Sequence, residues 1–241
     1  MAATNRCLRM GLAIGLCVCA AQAARGALSV GINFVGNESV SSASMDSAET
    51  AGAETQDFWN NAKSGSGSLS TLLDSAGRMT DVSVTWRGDW GYLRVPNDPG
   101  NLRLMRGYIQ NLGTDTATVT VAGLNAVFPL GYGVLVYFDG ANGGAAWQAD
   151  YSIGAATLRA TDRAGTDFAG TFIQDTGTGG NYLRFENCQG DTFTLSAASL
   201  PGSTAAINAI QIVHTPEPAT VGLMGAGLAV FRLIHHRARR R

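Results

Sequence analysis

DVSVTW, residues 81–86, alternates with a period of two: Val82, Val84 and Trp86 fall on one side of an extended chain, Asp81, Ser83 and Thr85 on the other. Successive strand side chains point to opposite faces, so this stretch predicts a half-buried β-strand. Working outward, the same signal recurs. LSVGINFV (28–35) aligns Leu28, Val30, Ile32 and Phe34, and TATVTVAGL (116–124) alternates threonine with Ala117, Val119 and Val121. GVLVYFDG (133–140) is apolar on both faces, as a central strand would be. AGTFIQD (169–175), NYLRFEN (181–187), DTFTLSA (191–197) and AAINAIQIVH (205–214) complete the set. Gly113-Thr114-Asp115, Asp139-Gly140 and Gln189-Gly190-Asp191 supply turn chemistry between them. Eight or more short strands at this spacing predict an all-β fold: a single antiparallel β-sandwich or jelly-roll-like domain over residues 27–214. Val82, Val84, Val119, Val121, Val134, Val136, Phe138, Phe185, Phe193, Ile210 and Ile212 are its expected interior.

Little competes with the strands. Residues 68–77, SLSTLLDSAG, are expected to form one or two helical turns beside the sheet. Residues 36–56 are small, polar and acidic, with neither period, and read as a long surface loop. KSGSGS (63–68) reads as a flexible loop, since strands on both sides of it are needed to close one core. There is no internal repeat.

Of 241 residues, 31 are glycine and 15% are charged, which favours short strands and turns. The formal net charge of −1 conceals an asymmetry. Residues 24–215 hold ten basic against seventeen acidic side chains, a difference of −7, and the basic excess sits at the two ends. An acidic body excludes nucleic acid as a partner, because phosphate is neutralised by Lys and Arg. Three of the four cysteines, Cys7, Cys17 and Cys19, fall in the N-terminal leader. Cys188 is left without a disulfide partner, as a structural thiol, and no metal-type cysteine spacing exists.

The N-terminus carries Arg6 and Arg9 ahead of an apolar run (11–20) and Ala21-Gln22-Ala23, the small-x-small pattern of a signal peptidase site. Residues 1–23 are therefore expected to be a signal peptide, with Ala27 the weaker alternative for cleavage. At the other end stands TPEPATVGLMGAGLAVFRLIHHRARRR (215–241). Residues 219–234 form a mostly apolar transmembrane segment, shorter than the usual span of about 20 residues. Residues 235–241, with Arg237, Arg239, Arg240 and Arg241, form a basic tail that holds its end in the cytoplasm. Pro216 and Pro218 break regular structure just before the span.

This order, Pro216-Glu217-Pro218, short Gly/Ala/Leu helix and arginine cluster, resembles the PEP-CTERM sorting signal of exported bacterial proteins, with Arg232 in the span as one departure. The resemblance covers about the last 26 residues. It implies recognition of the tripeptide by an exosortase, passage through the inner membrane, and a source that secretes exopolysaccharide. The body is also similar to the β-sandwich region that precedes this signal in other exported proteins, through INFVG (32–36), FWNNA (58–62), VLVYFDG (134–140) and INAIQIV (207–213).

Catalytic groups are few. The body has one histidine, His214, at the end of the last strand, and His235 and His236 belong to the tail. No glycine-rich phosphate cradle, H-E-x-x-H or nucleophile elbow is present. Nothing in the sequence singles out two of the seventeen acids as a glycosidase pair. For binding, residues 85–101 gather Trp86, Trp90, Tyr92, Arg94, Asn97, Asp98 and Asn101, and residues 139–151 add Asn142, Trp147, Gln148 and Tyr151. Trp90, Tyr92, Asn97, Trp147 and Gln148 are the candidate carbohydrate contacts: rings stack on sugar faces while amides bond hydroxyls. The bland alternative puts Trp86 in the core and Trp147 in a loop plug. No cofactor is implied, although Asp98, Asp139 and Asp150 are oxygen donors of the type calcium takes. Arg87-Gly88-Asp89 reads as a β-turn. The expectation is an exported, non-catalytic cell-surface or matrix protein. The alternative is an exopolysaccharide-binding module, followed by a secreted hydrolase.

Overall fold

The structure, a computed structural model, describes residues 28–111 and 116–215. The signal peptide (1–23), the sorting tail (216–241) and the turn at 113–115 lie outside the described residues.

Two main sheets face each other. The five-stranded sheet runs in the order β11 (Tyr182–Cys188), β8 (Tyr132–Tyr137), β14 (Ala209–His214), β1 (Ser29–Gly36) and β2 (Asn60–Lys63). The six-stranded sheet runs β10 (Ala156–Asp162), β9 (Trp147–Ile153), β12 (Thr192–Ser199), β7 (Ala117–Ala122), β4 (Ser83–Arg87) and β3 (Gly67–Leu69). A small third sheet joins β13 (Ala206–Ile207), β6 (Gly107–Gln110) and β5 (Asp89–Tyr92). Pairing is antiparallel except for β1 with β2, which is parallel and so departs from the all-antiparallel expectation.

Alternation decides which side chains meet. Val30, Ile32, Phe34, Val134, Val136, Ile210 and Ile212 project from the five-stranded sheet onto Val84, Trp86, Val119, Val121, Phe193 and Leu195 of the six-stranded one. All eleven expected interior residues are buried, and Trp86 fills the core. Each such side chain stabilises the fold by about 1.5–3 kcal/mol relative to leaving it exposed. The six-stranded sheet shows water its other face, where Thr120 and Thr194 share a hydroxyl hydrogen bond of 2.9 Å.

The central strands of the five-stranded sheet, β8, β14 and β1, are buried on both faces, which explains the unbroken apolar run of β8. The sheet's outer face, with Leu135, Tyr137, Ala209 and Val213, is covered by Met45, Ala51, Trp59, Leu104, Met105 and Phe168. Residues 36–56 are consequently not a plain surface loop: Ser41, Ala43, Met45 and Ala51 are buried, and a short helix α1 (Glu38–Ser41) interrupts the segment. Polar anchors hold it down. Asn33 Nδ2 donates to the Ala43 carbonyl (2.7 Å), and Asn61 Oδ1 accepts the Met45 amide (2.9 Å). Glu49 meets Arg103 of α2 (Asn101–Leu104) and accepts the Gly100 amide at 3.1 Å.

Four local expectations are corrected. Residues 68–77 form β3 and turns rather than helix, because Asn60 brackets Leu73 through both backbone groups (2.9 Å each) and Asp74 accepts the Ala76 and Arg78 amides (2.9 and 3.0 Å). Residues 169–175 are not a strand. Asn181 takes over their backbone bonding through Thr171 O and Ile173 N, leaving a single bridge from Gln174 to Tyr182. Residues 63–68 are a tight connection, with Trp86 Nε1 donating to Ser64 O at 3.0 Å. Arg87-Gly88-Asp89 is likewise no β-turn: it links β4 to β5, with a bend at Gly88.

Candidate functional site

The carbohydrate candidates lie in different settings. Trp90 is 37% exposed on β5, the only aromatic side chain among the described residues that is exposed. Tyr92 follows on the same strand, half-buried. Asn97 is exposed, and its Oδ1 accepts from Arg103 Nε at 3.1 Å. Trp147 opens β9 half-buried, with its ring across Gly140, where an added Cβ would lie 2.8 Å from Cε3. Gln148 is exposed and donates to Thr161 Oγ1 at 3.2 Å.

The small sheet separates the two tryptophans. Trp90 pairs with Ile109, so the two share a face, and the adjacent Tyr108 points to the opposite one. The Tyr108 hydroxyl accepts the Ala141 amide (3.3 Å), in the loop whose Gly140 carries Trp147. Trp147 therefore does not form one continuous aromatic platform with Trp90 and Tyr92, which share one face of β5.

The strongest chemical concentration lies beneath that loop. Asp139 follows β8 and Asp162 ends β10; both are buried, at 4% and 8% exposure. Asp162 Oδ2 accepts the Gly140 amide (3.0 Å), and its Oδ1 accepts from Asn142 Nδ2 (2.8 Å). Asn142 Nδ2 also donates to Arg163 O at 2.8 Å. The Phe168 backbone lies near enough to Asp139 to favour its charged form, while Asp139 Oδ1 is buried without a partner, as is Asn142 Oδ1. Asp139 and Asp162 border a cleft of about 180 Å³, with Asp167 and Phe168 on its wall.

Among the described residues no ion pair to either carboxylate is formed. Arg163, although it lines the cleft, turns its guanidinium to the Thr178 carbonyl. Burial first, and then the charge of Asp162, pushes the Asp139 carboxyl up to about 8, against the lowering effect of the Phe168 amide. Burial likewise raises Asp162 to about 7, opposed by the Gly140 N–H and reinforced by Asp167. By contrast, Asp150 is held low by its bidentate hydrogen bonds to Arg159 (2.8 and 2.9 Å), and Asp98 is exposed. Asp98, Asp139 and Asp150 are therefore not brought together as a calcium set. Among the described residues no three His, Cys, Asp or Glu side chains converge as a metal cage.

The Asp139–Asp162 pairing was missed from sequence because Asp162 stands 23 positions away on another sheet. Asp139 and Asn142, within DGANGG, were the legible half. His214 ends β14 with its ring centroid 4.9 Å from that of Phe128, and Cys188 is a free, half-buried thiol raised by burial and then by Glu186.

His214 is also where the body meets its sorting sequence. Residues 214–240 match the family model described as the PEP-CTERM protein-sorting motif. No curated protein and no solved structure matches the chain. None of the helices among the described residues is long and apolar enough to cross a membrane, and residues 219–234 lie outside that set. The chain ends in a PEP-CTERM sorting motif, the mark of an exported protein that an exosortase sorts through the membrane.

Proposed function

We propose that the body is a non-catalytic β-sandwich displayed at the cell surface or in the extracellular matrix. In this reading residues 1–23 direct export, residues 219–234 hold the chain transiently in the inner membrane, and an exosortase-type enzyme acts at Pro216-Glu217-Pro218. The observation that carries the reading is the junction. The sorting motif begins at His214, the last residue of a strand held between β8 and β1 by ladders on both sides. A tail joined directly to a central strand carries the whole body wherever it is sorted. The one body histidine is packed against Phe128 at this junction, a placement that favours a structural role over general-base work. Most acids outside the cleft with ordered partners are tied to arginines, as in Asp74–Arg78, Glu49–Arg103 and Asp150–Arg159. The test is incubation of the full chain with polysaccharide from its source. Unchanged polymer is expected, and release of sugar products over time would overturn the reading in favour of a hydrolase.

A second reading, exopolysaccharide binding, is favoured by the exposed ring of Trp90 with Tyr92 beside it on β5. It requires a saturable hit on a glycan array. Trp90→Ala should weaken that hit by about 1 kcal/mol, the scale of one aromatic contact. Because Trp147 lies on the other side of the small sheet, Trp147→Ala should leave it unchanged.

A further inference from the structure

We propose that the cleft bordered by Asp139 and Asp162 is a divalent-cation site, selective for calcium, with the Asn142 amide beside Asp162 as a neutral oxygen donor. Every side-chain donor is an oxygen, as a hard cation requires, and calcium accepts mixed sets of carboxylate, amide and carbonyl oxygens at irregular geometry. Asp139 Oδ1 and Asn142 Oδ1 are both enclosed without a hydrogen-bond donor, although Asp139 borders open space. Buried acceptors are nearly always satisfied, so two orphans around one carboxylate pair call for an electropositive occupant.

Charge points the same way. Two buried carboxylates within electrostatic reach of each other, with the Arg163 guanidinium turned to the Thr178 carbonyl, need a proton or a cation to be stable. The hydrogen bonds already present favour the cation. Asn142 Nδ2 is committed to Asp162 Oδ1 and Arg163 O, which fixes the amide with its oxygen free. The Gly140 amide and Asn142 Nδ2 hold the two oxygens of Asp162 in place. Asp162 and Asn142 are thus oriented before any ion arrives. Two carboxylates plus neutral oxygens give a modest negative charge, which suits the affinity range of extracellular calcium modules, about 10⁻⁴–10⁻³ M.

The experiment is calorimetric titration of the purified full chain, stripped with chelator, with CaCl₂ and separately with MgCl₂, alongside thermal melts at rising CaCl₂. The expected result is one saturable calcium site, weaker magnesium binding, and a melting midpoint that climbs with calcium concentration. Asp139→Asn and Asp162→Asn should each weaken binding at least tenfold, while Asp98→Asn should not change it. Should either variant fail to fold, terbium luminescence on the wild-type chain decides. Trp147, lying on Gly140, should sensitise emission that calcium displaces. Absence of saturable calcium binding to the wild type, calcium-insensitive terbium emission, or undiminished binding in both asparagine variants would overturn the proposal.

Discussion

Asp139→Asn tests the electrostatics of the cleft most cleanly, because asparagine keeps the shape and removes the charge. Its NH₂ takes the place of the orphaned Oδ1, and its carbonyl oxygen that of the other carboxylate oxygen. A carboxyl whose native pKa is raised stabilises the fold fully below its unfolded value and loses that contribution as pH rises through the native one. With Asp139 pushed to about 8 and Asp162 to about 7, from an ordinary 3.8, metal-free protein should lose stability between about pH 4 and pH 8. Each decade of proton affinity is worth about 1.36 kcal/mol, so the ceiling for Asp139 is on the order of 5 kcal/mol. Water entry and local relaxation bring the realised cost nearer the 1–3 kcal/mol, roughly, of a buried unpaired acceptor. In chelator at pH 8, Asp139→Asn should therefore be about 1–3 kcal/mol more stable than wild type by urea denaturation. At pH 4 the two should nearly coincide. Equal destabilisation of the variant at both pH values, or a wild type whose stability is flat over this range, would refute the reasoning.

Other consequences follow from packing. Tyr137→Phe removes a hydroxyl that donates to Gln211 Oε1 (2.6 Å) and accepts the Ala53 amide (2.8 Å), so urea midpoints should fall by an amount equivalent to about 1–3 kcal/mol. Gly107→Ala would set a Cβ 2.5 Å from the Phe34 carbonyl oxygen, where backbone rather than a side chain must yield. A comparable loss of about 1–3 kcal/mol is expected in thermal unfolding. Cys188 is free, so circular dichroism of the full chain should be strand-dominated and identical with and without reductant; a collapse on reduction would contradict the fold.

The strands that alternate were legible because one face is dry and the other wet: Val84 and Trp86 against Thr85, or Val119 and Val121 against Thr120. β2 was not, since Asn60-Asn61-Ala62-Lys63 lacks that contrast and pairs in parallel with β1, while Asn60 and Asn61 bond the loop carbonyls of Leu73 and Met45. The same polar networks hid the burial of residues 36–56: the small, polar segment reads as solvated until Asn33, Asn61 and Gln211 are seen to satisfy its backbone carbonyls. Phe172 and Ile173 suggested a strand, whereas Phe172 packs its ring 4.8 Å from Tyr137 and Asn181 replaces the ladder. At the cleft, DGANGG was conspicuous, but only the path of β10 brings Asp162 to it. The sorting motif was the most legible feature, because its signal lies in a short linear order of residue types rather than in tertiary pairing.

The most direct test of the account is the destination of the body in cells, followed with an antibody to residues 28–214 after fractionation into cytoplasm, inner membrane, cell surface and matrix. The account predicts that the wild-type body leaves the inner membrane for the surface or matrix, and that Glu217→Ala holds it at the membrane unprocessed. A body recovered in the cytoplasm, or one reaching the surface equally well with Glu217→Ala, would contradict it.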